Sequence, residues 1–159
     1  MKYLKYIAIA ILFAGCGGGE AADSGEVSGP PGQKEHPKTL AEFEPVYMDY
    51  KGLGPISSLS LADAIDTTMT AKGEEVFQAK CTACHKVGKR FVGPDVTGIM
   101  SRRSPEWIMN MILNPEQMTS EDPIGKLLLI EYNGSPMANQ NLTEEEARAV
   151  LEYFRTLQP

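Results

Sequence analysis

From residue 70 onward, apolar side chains recur at three- and four-residue intervals, and polar caps stand in front of each run. Thr70 is placed to cap a helix with Glu74 and Glu75 in its first turn, running through Phe77 to about residue 80. Ser104, Pro105 and Glu106 supply a cap, a proline at the first helical position and an acid. Trp107, Ile108, Met111 and Ile112 then fall on one face, and Pro115 ends that run. Asp122 and Pro123 repeat the same start ahead of Leu127, Leu128 and Ile130. Thr143 and Glu146 have the spacing of a capping box, behind which Ala147, Val150, Leu151 and Phe154 recur at helical spacing. No segment alternates convincingly as a strand would. The pattern predicts an all-α domain with long loops.

Upstream the pattern changes twice. Residues 38–66 contain Phe43, Tyr47, Tyr50, Leu53, Ile56, Leu59, Leu61 and Ile65 without a clean period, interrupted by Pro45, Gly52, Gly54 and Pro55. They read as an irregular strap on the domain surface, with a docking segment for a partner as the other reading. Residues 16–37 hold six Gly and three Pro and almost no large apolar group. Such a stretch buries too little to offset its ordering entropy, so it reads as a flexible tether, with His36 solvated inside it. The expected domain spans residues 67–159.

The first fifteen residues have the form of an export signal. Lys2 and Lys5 precede an apolar run over residues 6–14. That run is shorter than the ~20 residues needed to cross a bilayer. It leads into Phe13-Ala14-Gly15-Cys16, which resembles a bacterial lipobox, with Phe13 where Leu is usual. The resemblance implies lipidation of Cys16 and a membrane anchor, with an uncleaved hydrophobic anchor as the alternative. Gly17 after the cysteine favours the outer membrane under the sorting rule of such lipoproteins.

Charge narrows the function classes. The chain has 159 residues and a formal net charge of −6, with 15 Lys and Arg against 21 Asp and Glu. Residues 16–67 hold three basic and nine acidic groups, so the acidity belongs mostly to the tail. This balance excludes a nucleic-acid binder, which needs cations to displace counterions from phosphate. Three cysteines are too few for a disulfide framework.

Two of those cysteines carry the chemistry. Cys81-Thr82-Ala83-Cys84-His85 places two thiols three positions apart and an imidazole next to the second. Two thiols at that spacing can add to the two vinyl groups of one haem, and the histidine then faces the iron. A redox disulfide is the first alternative, but that motif normally opens a helix within a βαβ unit. Half a zinc site is the second, but the other half is missing. Eight residues on, Gly93-Pro94 offers a carbonyl that can accept the second imidazole proton, fixing the tautomer; a simple turn is the bland reading. Met137, in the irregular segment before the last helix, is the expected sixth ligand, a soft neutral thioether. Met100 and Met118 lie in expected loops and compete with it, whereas Met109 and Met111 read as core filler. Trp107, Arg102 and Arg103 are candidate partners of the haem propionates, with helix-face packing as the alternative for Trp107. Lys80, Lys86, Lys89 and Arg90 surround the attachment motif and can steer an acidic partner, or form an ordinary solvated surface.

These features together resemble the class I monohaem cytochromes c over roughly the last 90 residues. The carrying residues are Gly73, Phe77, Cys81, Cys84, His85, Gly93, Pro94, Met137, Val150 and Tyr153. The resemblance implies four to five helices around one covalently bound haem c. It also implies a close crossing of the first and last helices at Gly73, where Phe77 meets Val150, Tyr153 and Phe154. Two departures stand out. The family often has Met-Pro at the sixth ligand, whereas here the order is Pro136-Met137-Ala138, and Val96 stands where Leu is commoner.

The implied role is a monomeric, membrane-tethered carrier of single electrons on the periplasmic side of a bacterial cell envelope. Its partners would be a quinol-oxidising complex and a terminal oxidase or reductase. The alternatives are an accessory haem subunit fixed in a respiratory complex, and a haem gas sensor. No nucleophile–base pair or phosphate loop marks a stand-alone enzyme.

Overall fold

The computed structural model describes residues 48–158. The export signal, the lipidation site at Cys16, the tether and the first part of the strap lie outside the described residues. Among the described residues five helices succeed one another: α1 (Thr67–Lys80), α2 (Pro105–Leu113), α3 (Pro115–Glu121), α4 (Pro123–Glu131) and α5 (Glu144–Thr156). A 3-10 turn, Ile99–Ser101, precedes α2. Among the described residues there is no strand, only an isolated bridge between Lys86 and Lys89. No helix among them is long and apolar enough to cross a membrane.

Two boundaries differ from expectation. The cap of α1 is Asp66, whose carboxylate accepts the N–H groups of Thr68 and Met69 at 2.9 Å each. A carboxylate at the helix start satisfies two orphan amides and complements the dipole, so the helix begins one turn earlier than Thr70 suggested. Thr70 sits inside the first turn, its Oγ1 buried without a hydrogen-bond partner. Pro115 does not simply end a run. It takes the first position of α3, where its missing N–H leaves nothing unsatisfied. Met118 is therefore on a helix and fully buried, not in a loop.

The other caps stand where the sequence puts them. Ser104 accepts from Trp107 N at 3.2 Å. Asp122 accepts from Ile124 N at 3.0 Å and Gly125 N at 2.9 Å. Thr143 and Glu146 form the reciprocal capping box.

The frame is the crossing of α1 and α5. A Cβ on Gly73 would collide with the Ala149 carbonyl, so the two backbones touch there and only glycine fits. One turn on, Phe77 meets Tyr153 at 5.5 Å and Phe154 edge-on at 5.7 Å between ring centroids. Full burial of an aromatic of this size contributes about 1.5–3 kcal/mol. Glu152 is buried beside them, held by Arg148 at 2.6 Å, Arg155 at 2.7 Å and the N–H of Asp66 at 2.9 Å.

The strap uses its backbone polar groups on the domain itself. Asn110, buried in the middle of α2, accepts from Ile56 N and donates to the carbonyls of Ile56 and Lys51, each at 2.9 Å. Glu106 accepts from Leu59 N at 3.1 Å. Gly52 has φ +73°, and a Cβ there would press on Trp107 and Met118. Tyr50 donates to Asp122 at 2.6 Å. Ile56 closes this side of the core.

Candidate functional site

The helical hydrogen-bond pattern continues one turn beyond α1. Cys81 N donates to Phe77 O at 2.9 Å, and Cys84 N and His85 N both donate to Cys81 O, at 3.0 and 2.9 Å. Residues at i, i+3 and i+4 of a turn share one side, so both thiols and the imidazole face the same space. That space is a cavity of about 540 Å³, whose lining includes Cys81, Cys84, His85 and, from the loop before the last helix, Met137. Burial pushes the Cys81 thiol up to about 11, with the neighbouring Cys84 adding to the effect.

The imidazole is held from behind. Gly93 N donates to Cys84 O at 2.8 Å, bringing residues 93–94 against the ring. His85 Nδ1 lies 3.0 Å from the Pro94 carbonyl. A carbonyl can only accept, so Nδ1 carries the proton and Nε2 keeps the lone pair that a metal needs. A Cβ on Gly93 would lie 2.6 Å from His85 Cε1, so the glycine leaves room for the ring in this orientation.

Asp95 fixes the base of this loop. It accepts from Gly88 N at 2.9 Å and Thr97 N at 2.8 Å. Burial opposes its charge, but these bonds and nearby Arg102 outweigh that and hold its pKa below the ordinary aspartate value.

Met137 rides on the loop between α4 and α5. That loop leaves α4 through a Schellman turn: Asn133, at φ +57°, donates to Ile130 O at 3.1 Å, and Gly134 N donates to Leu129 O at 2.8 Å. Of the competing thioethers, Met118 lies away from the cavity lining, with Sδ 3.1 Å from Leu53 N, and Met100 is also absent from the lining. Met111, read from the sequence as core filler, does line the cavity.

Gly93, Pro94, Arg102, Arg103 and Trp107 all contribute to the cavity wall. Trp107 donates its indole N–H to Asp122 at 3.2 Å. Asp122 is fully buried and needs donors to offset its desolvation, which explains the bond. Arg102 bridges the carbonyls of Thr97 and Asp95 at 2.8 and 2.9 Å, so its charge is fixed at the cavity. Arg103 donates to Arg102 O at 2.6 Å and lies over Trp107, 5.5 Å from its centroid.

The basic cluster divides. Arg90 pairs with Glu131 at 3.3 Å and stacks over Tyr132 at 4.0 Å, so its charge is largely compensated. Lys80 and Lys89 are exposed, and Lys86 lies over Phe91 at 5.2 Å. Val87 and Phe91, beside them in sequence, are 45% and 51% exposed, whereas Val92 lines the cavity. Sequence reading missed these apolar groups, although they stand beside the basic ones. It also missed Asn110, whose signal was a lone amide inside an apolar helix.

The residues present fit a covalently attached haem. Two thiols and an oriented imidazole share an apolar-walled cavity with the thioether of Met137 in its lining, and fixed guanidinium charge stands at its wall. Among the described residues no group of three or more His, Cys, Asp or Glu is placed to hold a metal ion.

Comparison with known proteins agrees. The family model for cytochrome c matches residues 70–158. The solved structure of cytochrome c from Rhodothermus marinus is 43% identical, with a TM-score of 0.63, covering 65% of this chain and 89% of that one. An engineered form of that protein bound to a carbene intermediate is 42% identical, with a TM-score of 0.61 over 65% of this chain and 89% of its own. No curated protein matches the chain. With its helices, cavity and attachment residues in this arrangement, the chain belongs to the cytochrome c family, as a class I monohaem electron carrier with one covalently bound haem c.

Proposed function

We propose that the chain is a lipid-tethered cytochrome c that carries single electrons in a bacterial respiratory chain, from a quinol-oxidising complex to a terminal oxidase or reductase. The observation that carries this reading is the meeting of Cys81, Cys84, His85 and Met137 at one cavity. The haem, when bound, supplies a centre that accepts and returns one electron. Cys81 and Cys84 hold it by thioether bonds, which suits an exported protein because a lost cofactor could not be recovered there. His85 and Met137 would be the side chains that hold its iron, and with both engaged the group would serve electron transfer and not substrate binding. Pro94 keeps the imidazole in the tautomer that binds metal.

Lys80, Lys86 and Lys89, with Val87 and Phe91, form the docking surface. Its apolar groups give contact area, and the lysines steer an acidic partner. Lipidation of Cys16 anchors the chain, and residues 17–37 let the domain reach its partners at high effective concentration. The strap supports a carrier more than a fixed subunit, since Asn110 and Glu106 already take up much of its polar backbone.

The test is reconstitution in the source bacterium. Cells lacking the protein should regain respiration with the full chain. Cys16→Ser should move the protein to the soluble fraction and lower that rescue. Electron transfer to isolated membranes should slow as salt rises. Unchanged membrane attachment in Cys16→Ser contradicts the anchor, and a rate indifferent to salt contradicts the lysine surface.

A further inference from the structure

The loop that carries Met137 is bonded mostly to itself and to α4. Among the described residues, the amides of Asn133, Gly134 and Ser135 donate to the carbonyls of Ile130, Leu129 and Tyr132, at 3.1, 2.8 and 3.1 Å. Further along, Gln140 donates to Ala138 O at 3.2 Å and Asn141 N to Asn139 Oδ1 at 2.8 Å. These bonds are local, so the loop is placed by its two ends, and the near end is the end of α4. Glu131 closes that helix and Tyr132 caps it, and both line the cavity. A side chain from another loop grips both of them. Arg90 donates to the Glu131 carbonyl at 2.5 Å and to the Glu131 carboxylate at 3.3 Å, and its guanidinium lies over the Tyr132 ring, 4.0 Å from the centroid.

Arg90 belongs to the loop that holds the other axial residue. It stands five residues after His85, as Met137 stands five after Tyr132. Phe91 N donates to Gly93 O at 3.1 Å and Gly93 N to Cys84 O at 2.8 Å, so this loop closes back on the attachment motif. We propose that Arg90 is a positioning residue for the sixth ligand, fastening the end of α4, and with it the loop that carries Met137, to the loop that holds His85. The proposal rests on the reading of Met137 as that ligand. Arg90 does not line the cavity; it acts through Glu131 and Tyr132, which do.

The chemistry of the contact calls for an arginine. The Glu131 carbonyl belongs to the last turn of α4, where carbonyls lack an intrahelical donor and a cation complements the dipole. A planar guanidinium can reach that carbonyl while covering an aromatic ring; a lysine ammonium is a point charge and does not do both at once. The pair with the Glu131 carboxylate is half-exposed, and such pairs contribute little in water. The hold therefore comes mainly from the carbonyl bond and the ring. Arg90→Lys separates positioning from the steering of a partner, since it keeps the charge and loses the fork.

The experiment compares the unaltered holoprotein with Arg90→Lys and Arg90→Gln. On heating the oxidised proteins, the thioether-to-ferric charge-transfer band reports the hold of Met137, and far-ultraviolet circular dichroism reports the fold. Hydrogen exchange read by peptide mass spectrometry reports the loop itself. The expected result is a band that lasts until unfolding in the unaltered chain and disappears well before unfolding in both variants. Exchange over residues 132–138 should quicken about tenfold in both, as the loss of one charge-assisted hydrogen bond allows, with α1 and α5 unchanged. A band and an exchange pattern in Arg90→Gln that match the unaltered chain overturn the proposal. So does full retention in Arg90→Lys with loss in Arg90→Gln, because charge alone then suffices. A lower unfolding temperature with no separate loss of the band also overturns it, since that is a merely structural role. Absence of the band from the unaltered chain overturns Met137 as the ligand and the positioning role with it, whereas its presence in all three proteins overturns the positioning role alone.

Discussion

Gly73→Ala puts the packing of the frame to a quantitative test. In an open helix the change stabilises by about 1 kcal/mol, because alanine loses less backbone freedom than glycine. Here the new Cβ would overlap the Ala149 carbonyl and lie 2.9 Å from Val150 N. Those are backbone atoms and cannot rotate aside, so α1 and α5 must separate. Overpacking of this kind costs about 1–3 kcal/mol. Separation also weakens the contacts of Phe77 with Tyr153 at 5.5 Å and with Phe154 at 5.7 Å. Each aromatic pair is worth about 0.5–1.5 kcal/mol beyond its area. Set against the propensity gain, the net loss is about 2 kcal/mol. For a domain of this size each kcal/mol moves Tm by about 4–8 °C, so a fall on the order of 10 °C is expected. Thermal unfolding of the purified holoprotein, monitored by circular dichroism, measures it. An unchanged or raised Tm would mean that propensity dominates and the crossing is not tight.

Single sites elsewhere carry further expectations. Gly93→Ala drives a Cβ to 2.6 Å from His85 Cε1 and should break the bond to Pro94 O. The hold of His85 on the iron should then weaken about 10–100-fold, read as a shift of the optical spectrum toward a high-spin form, and an unchanged spectrum contradicts the support role. For Glu152, burial opposes the charge, but the Asp66 N–H, Arg148 and Arg155 outweigh it and lower the pKa. Its folded pKa lies below the unfolded value of ~4.3, so its stabilisation is present above that value and is lost as pH falls through the folded pKa. Glu152→Gln should cost about 3–5 kcal/mol at neutral pH in urea unfolding, with a deficit that shrinks in acid; an equal deficit at both is the contrary result. Asn110→Leu leaves the Ile56 N–H and two carbonyls without partners, at about 1–3 kcal/mol for each buried group. Hydrogen exchange should quicken over residues 50–60 before the helices respond, and uniform quickening would contradict a separately held strap.

What the sequence revealed was mostly what local spacing determines. The caps at Ser104, Asp122 and Thr143 depend on residues within three positions and stand where expected. The attachment motif is equally local. The proline at 115 misled because one residue type both stops a helix and starts one, and the choice depends on whether the next residues can sustain a helical turn. Asp66 outcompeted Thr70 because its amide is anchored by Glu152, 86 positions away, which no local pattern displays. Trp107 was legible as a cavity residue, but its hydrogen bond was not, since Asp122 reads from sequence only as a cap. Likewise the strap showed no period, because its backbone partners lie on another element.

The central claim is that His85 and Met137 close the cavity around one haem. The direct measurement is the optical spectrum of the oxidised and reduced protein, with and without carbon monoxide, for the unaltered chain, Met137→Ala and Met111→Leu. The unaltered chain and Met111→Leu should show the thioether-to-ferric charge-transfer band and no carbon monoxide binding. Met137→Ala should lose the band and bind carbon monoxide. Ready carbon monoxide binding by the unaltered chain, or loss of the band in Met111→Leu with its retention in Met137→Ala, would contradict the account.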